Sequence, residues 1–169
     1  GELSARTKDR IVSYGELLSS RIISDRFAAA GIDNAWVDSR QLIRTDSHHG
    51  HAAVDFASTN ALCRDYFTKA AHSLFIMPGF IASDSNGNGT TLGRGGSDYT
   101  AAIVAAALDA SSVEIWTDVS GMMTADPRLV RHAKILSHIS YQEAMELSHF
   151  GAKVIYPPTI QPVMSKNIP

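Results

Sequence analysis

Three things are scarce in this chain, and each scarcity excludes something. Cysteine is reduced to a single residue, Cys63. No disulfide can form within the chain, and the residue reads as a small buried apolar side chain. Long apolar runs are missing. The longest, "AAIVAAAL" at 101–108, is far short of the ~20 residues that cross a bilayer, and the opening "GELSARTKDR" has no apolar signal core. A dominant charge sign is also missing: 15 Lys and Arg face 17 Asp and Glu, for a net charge of -2. That balance argues against a broad basic surface for nucleic acid. The expectation is a cytoplasmic protein with neither nucleic acid nor membrane as partner. Any anion it binds must be held by a few local cations and helix ends.

What is present is an ordinary globular composition. The 169 residues are 44% hydrophobic and 19% charged, enough for one domain with a sizeable core. No internal repeat or low-complexity linker interrupts them. Apolar periodicity predicts helices over 13–31, 58–71, 97–110, 140–155 and 157–167, and strands over 34–43, 72–83 and 111–119. Pro78-Gly79 breaks the second strand, and "DSNGNGTTLG" (84–93) carries hairpin turn chemistry. The helix over 97–110 is apolar on nearly every side, as a helix buried between layers would be. Residues 120–136 read as a long irregular connection. Strands alternating with helices predict an α/β fold with a mainly parallel sheet.

Four segments carry candidate chemistry. "TTLGRGGSDYTAA" (90–102) places Arg94 among glycines directly before the apolar helix. A guanidinium there matches a carboxylate or phosphate through paired hydrogen bonds, and the helix start adds free N–H groups. Ser97 and Asp98 serve equally as N-caps or as ligand contacts. "SYGE" (13–16) reads either as a capping box, Ser13 with Glu16, or as Glu16 projecting into a cleft to receive an ammonium group. "EIWTDVSGMMTADPR" (114–128) ends a predicted strand at Thr117-Asp118, where ligands of open α/β sheets bind, and presents Arg128 on a rigid turn. "FGAKV" (150–154) holds Lys153 near a helix C-terminus, where a lysine can also be a simple dipole partner. "HHGH" (48–51) reads as solvated histidines rather than a metal cluster. Three cations and three carboxylates near Gly-rich turns suit phosphoryl transfer, which relies on positioning and charge neutralisation.

Together, "SYGE", "TTLGRGGSDYTAA", "EIWTDVSG" with "TADPR", and "SYQEAMELSHFGAKV" resemble aspartate kinase of the amino-acid kinase superfamily, over about residues 10–169. The last motif is similar to the aspartokinase part of aspartokinase–homoserine dehydrogenases. The resemblance implies a three-layer α/β/α sandwich and ATP-dependent phosphorylation of the L-aspartate side chain to 4-phospho-L-aspartate. That step opens lysine, threonine and methionine synthesis. The nucleophile would be the substrate's own carboxylate, ionised at neutral pH. By the same resemblance Arg94 clamps the aspartate α-carboxylate, Glu16 and Asp98 receive its ammonium, and Ser97 and Phe80 complete the pocket. Thr117, Asp118, Met123, Arg128 and Lys153 lie along ATP, and Mg²⁺ bridges its phosphates with few protein ligands.

Several departures shape the expectations. The family's "KFGGTS"-like loop, which supplies a lysine to the transferring phosphate, has no counterpart, and regulatory domains are absent. The expectation is therefore one partial catalytic domain over 1–169, weak or inactive by itself, and a homo-oligomer in the full-length enzyme. Met123 stands where tyrosine is usual, and Tyr156 where histidine is common. Two alternatives stand beside this reading. One is a kinase for glutamate, acetylglutamate or UMP; the other is a non-catalytic binding module of the same fold.

Overall fold

A computed structural model describes residues 3–149 and 155–169. The chain opens with α1, Ala5–Ala29, capped by Ser4, whose hydroxyl accepts the Thr7 N–H. The helix thus begins eight residues before the position predicted from "SYGE". Ser13 is not a cap: it is buried in mid-helix, and its hydroxyl donates to the Arg10 carbonyl at 2.7 Å.

Short strands and helices then alternate. β1 is Ala35–Trp36, followed by a single 3₁₀ turn, Ser39–Gln41, and β2, Arg44–Thr45. α2, Phe56–Lys69, is capped by Asp55 through the Ser58 N–H. β3 is Phe75–Ile76, β4 Ile81–Asp84 and β5 Gly89–Thr91. α3 spans Gly96–Ala107, α4 Tyr141–His149 and α5 Pro157–Ser165. β1 pairs with β3 in parallel, Ala35 opposite Phe75. β2 pairs with β4 in parallel, Arg44 opposite Ser83, and β4 with β5 antiparallel, Ile81 opposite Thr91. Pro78-Gly79 therefore does more than interrupt a strand, because it sends β3 and β4 into different sheets. A proline cannot donate to a ladder, so the break falls where pairing changes partner. The predicted hairpin forms. Its turn is organised by Asp84, whose carboxylate accepts from the backbone of Asn86 and Asn88 and from the side chains of Asn88 and Ser47.

α3 is the hub, as its unbroken apolar sequence predicts. Ala107 joins Val37, Leu42 and Cys63 in one buried cluster. Ile103 joins Ile43, Ala82 and Leu92 in a second. Ala102 and Ala105 meet Val163 and Ile168 of the C-terminal segment in a third. Cys63 is fully buried in the first cluster, and burial pushes its thiol up to about 11.

The strand predicted over 111–119 is not formed. The segment has no regular secondary structure and makes no ladder with the described residues, and Trp116 is 90% exposed. β-propensity reflects packing against neighbouring strands, and none flanks this segment among the described residues. The irregular connection after it folds back on itself, with Met123 bridging Ile135. α4 opens with a reciprocal capping box, in which the Ser140 N–H donates to Glu143 and the Glu143 N–H to Ser140 Oγ. The predicted end of that helix and Lys153 lie outside the described residues.

Candidate active site

The site is built around the start of α3. Gly95, the N-cap, has φ +69°, and Gly93 has φ +75°, a region L-residues enter at a cost. Two further glycines of the loop region are needed for space. A Cβ on Gly96 would lie 2.7 Å from the Phe80 ring, and one on Gly79 would lie 2.8 Å from the Ser97 Cα. The "PGF" and "GGSD" backbones therefore lie directly against each other. Phe80 itself has φ +69°. It is held there by its N–H, which donates to the Gly96 carbonyl and to Thr100 Oγ1 at 3.0 Å.

These contacts frame an open cavity of about 330 Å³ lined by Glu16, Phe80, Gly93, Gly95, Gly96, Ser97 and Asp98. Glu16 arrives from the middle of α1, which packs on β5. Asp98 arrives from the first turn of α3. No side chain caps α3, so Ser97 and Asp98 are not the N-caps their position allows. The side chains of Glu16, Ser97 and Asp98 make no hydrogen bond with the described residues. Burial raises the Glu16 carboxyl above its ordinary value, the shift expected of a carboxylate with no cation beside it. Two unpaired carboxylates and the N–H-bearing end of a helix thus face one space. Such a set is matched by a small molecule carrying both an ammonium and an anionic group.

Arg94 belongs to the same loop but does not line the cavity. It is exposed, with its guanidinium 5.6 Å from the centre of the Tyr156 ring, a cation–π arrangement. Tyr156 and Thr159 also pack on the loop, since a Cβ on Gly95 would meet Thr159 Cγ2 at 2.8 Å. The four described residues named for the nucleotide lie elsewhere. Thr117 and Asp118 are exposed neighbours on the irregular segment after α3, 3.2 Å apart through their side chains. Met123 is half-buried in the connection. Arg128 is exposed and paired with Asp126 at 2.7 Å.

Sequence reasoning missed three contributors. Tyr156 underlies Arg94. The His51 ring covers Gly93, where a Cβ would lie 2.5 Å from its Nδ1. His49 is not solvated: its Nδ1 lies 3.1 Å from the buried Asp9 carboxylate, which also accepts from the Gly50 N–H and Thr91 Oγ1. α1 also carries Glu16 and the exposed Asp25, so the sequence alone does not mark Asp9 as the buried acid. Among the described residues no three His, Cys, Asp or Glu side chains group to hold a metal, and no helix is long and apolar enough to cross a membrane.

The chain is 43% identical over 162 residues to lysine-sensitive aspartokinase 3 of Escherichia coli strain K12, covering 95% of this chain and 36% of that protein. It is 41% identical over 170 residues to the chloroplastic bifunctional aspartokinase/homoserine dehydrogenase 2 of Zea mays, covering 100% of this chain and 18% of that protein. It thus spans about a third of one relative's length and under a fifth of the other's. The crystal structure of E. coli aspartokinase III in complex with aspartate and ADP superposes with a TM-score of 0.90 at 42% identity, over 96% of this chain and 37% of that one. The α/β architecture with a mainly parallel sheet is shared with these structures. The model of the amino acid kinase family matches residues 1–169, and the chain belongs to that family.

Proposed function

We propose that this chain is the amino-acid-binding part of an aspartokinase, which uses ATP to phosphorylate the side-chain carboxylate of L-aspartate to 4-phospho-L-aspartate. The observation that carries the reading is the meeting of Glu16 and Asp98, neither paired with another described residue, at the N-terminus of α3. An α-amino acid presents an ammonium and a carboxylate a few ångströms apart. The two acids take the ammonium. The helix end, Ser97 and Arg94 take the α-carboxylate once the Arg94 side chain turns from Tyr156 toward the cavity. Phe80 walls the apolar side. The relative crystallised with aspartate and ADP supports the choice of ligand.

The reaction asks the protein to hold two anions together and neutralise them, not to supply a base. ATP supplies the phosphoryl group. Thr117, Asp118, Met123, Arg128 and Lys153 are proposed for its nucleotide and phosphates. Arg128 contributes through a guanidinium already oriented by Asp126. Mg²⁺ is proposed to be held chiefly by phosphate oxygens, as is usual for this ion. Residues 1–169 are proposed as one partial catalytic domain. Their sequence contains no loop of the "KFGGTS" kind, so the turnover of these residues alone is proposed to be weak.

The test is a phosphorylation assay with Mg-ATP on the protein that carries this chain, comparing L-aspartate, L-glutamate and UMP by ADP release and trapping the acyl phosphate of the two amino acids with hydroxylamine. Aspartate should be the preferred acceptor, and Arg94→Ala should raise its KM. Aspartate no better than the others would overturn the substrate. Aspartate binding without any turnover would favour a non-catalytic module.

A further inference from the structure

Arg94 stands at the cavity without entering it. Its neighbours Gly93, Gly95 and Gly96 line that space, and Gly93 and Gly95 both hold positive φ on either side of it. Two carboxylates, Glu16 and Asp98, also line the space, and among the described residues neither has a cation in an ion pair. A guanidinium on the same loop is attracted toward them. It lies instead over the Tyr156 ring, 5.6 Å from its centre, where the ring quadrupole attracts a cation. Among the described residues Arg94 makes no ion pair and no side-chain hydrogen bond, so the ring is what holds it.

The ring is fixed and the arginine is not. Tyr156 is the N-cap of α5. Its carbonyl accepts the Thr159 N–H at 2.9 Å and the Thr159 hydroxyl at 2.6 Å, and Thr159 is buried. α5 is anchored on α3, with Val163 in one buried cluster with Ala102 and Ala105. Tyr156 also packs on the loop itself: a Cβ on Gly95 would meet Tyr156 Cβ at 3.3 Å and Cδ1 at 3.4 Å. The ring therefore cannot follow the guanidinium into the cavity. Arg94 is exposed, on a long flexible stem. It has two destinations, the ring and the cavity, and it occupies one at a time.

We propose that Tyr156 is a positioning residue that sets the affinity of the site: its ring holds Arg94 outside the cavity until a ligand α-carboxylate draws the guanidinium in. This rests on the reading of the cavity as an L-aspartate site. Only molecules with Arg94 released bind at full strength, and the measured affinity is reduced by that fraction. An exposed cation–π contact corresponds to about a two- to five-fold ratio, so the ring weakens aspartate binding by that factor. In return, Arg94 leaves the ring for a ligand that carries an anionic group in the right place, and stays off Glu16 and Asp98 while the cavity is empty.

The test is calorimetric titration of L-aspartate into the protein that carries this chain. Tyr156→Leu keeps an apolar branch against Gly95 and removes the aromatic face. It should lower the aspartate dissociation constant about two- to five-fold, whereas loss of a merely structural side chain would raise it. Tyr156→Phe keeps the face and should not show the gain. In an Arg94→Ala background, itself weakened for aspartate, Tyr156→Leu should have no effect, as the cycle requires of two residues that act through each other. Proton NMR of the parent reads the same event directly. The Tyr156 ring current should displace the Arg94 side-chain signals, assigned by their loss in Arg94→Ala, and saturating L-aspartate should return them to ordinary values. Signals unmoved by bound aspartate would overturn the proposal whether or not Tyr156→Leu folds. So would an unchanged or raised dissociation constant in a folded Tyr156→Leu, an equal gain in Tyr156→Phe, or the same gain in the Arg94→Ala background. Each of these, in a parent that binds aspartate, leaves the substrate reading standing. A folded parent that binds no aspartate would overturn that reading and this proposal together.

Discussion

Gly96→Ala probes the contact on which the cavity rests. The added methyl would sit 2.7 Å from Phe80 Cδ2 and 3.2 Å from both Phe80 Cα and Leu92 Cβ. Carbon atoms prefer roughly 3.5–4.0 Å. The ring can turn, but the Phe80 backbone cannot retreat without giving up its N–H bonds to Gly96 and Thr100. Overpacking of this kind costs about 1–3 kcal/mol. Alanine recovers at most about 1 kcal/mol of helix propensity, and less at the first helical residue. The net expectation is a loss of about 1–2 kcal/mol, or roughly 2–8 °C in Tm for a domain of this size. The displaced ring enters the cavity it lines, so L-aspartate affinity should fall as well. Gly89→Ala is the control: no atom lies within 4 Å of its added Cβ, so stability should change by no more than about 0.5 kcal/mol. Urea unfolding and calorimetry on both variants read the two effects. A Gly96→Ala protein as stable as the parent, with unchanged aspartate binding, would refute the packing argument.

Two further predictions concern protons. Burial raises the Glu16 carboxyl, so its folded-state pKa exceeds its unfolded one. Its contribution to stability is full below the unfolded value of about 4.3 and is lost as pH rises through the folded value. An ammonium ligand reverses that preference: L-aspartate affinity should fall as acidification protonates Glu16, and Glu16→Gln should abolish that limb of the profile. Asp84 behaves oppositely. Hydrogen bonds from the Asn88 side chain first, then from the Asn88 backbone, Ser47 and the Asn86 backbone, bring its carboxyl to about 2. The stabilisation is present above the unfolded value of about 3.9 and is lost as pH falls toward about 2. Urea midpoints should therefore drop less between pH 5 and 2 in Asp84→Asn than in the parent; equal slopes would contradict this.

Where local chemistry decides the outcome, the sequence is readable. α3 follows from an apolar run too short for a membrane and too uniform for a surface. The β4–β5 hairpin follows from its Asn-Gly turn, and the strand break from Pro78-Gly79. Glu16, Phe80, Ser97 and Asp98 meet in one cavity, as the motif resemblance implies. Where a distant neighbour decides, the reading fails. Nothing local shows that α1 is capped at Ser4, because Ser13 and Glu16 satisfy a capping box on paper. Residues 111–119 have strand composition but no ladder partner among the described residues. His49 looks solvated until the fold brings Asp9 beside it, and Arg94 turns to Tyr156, an aromatic residue distant in sequence.

The most direct measurement is calorimetric titration of L-aspartate into the protein that carries this chain, with and without a non-hydrolysable Mg-ATP analogue, alongside Asp98→Asn. Saturable aspartate binding that Asp98→Asn weakens at least about tenfold is the predicted result. A folded protein that takes up no aspartate under either condition, or one whose affinity is indifferent to Asp98→Asn, would contradict the assignment of this cavity.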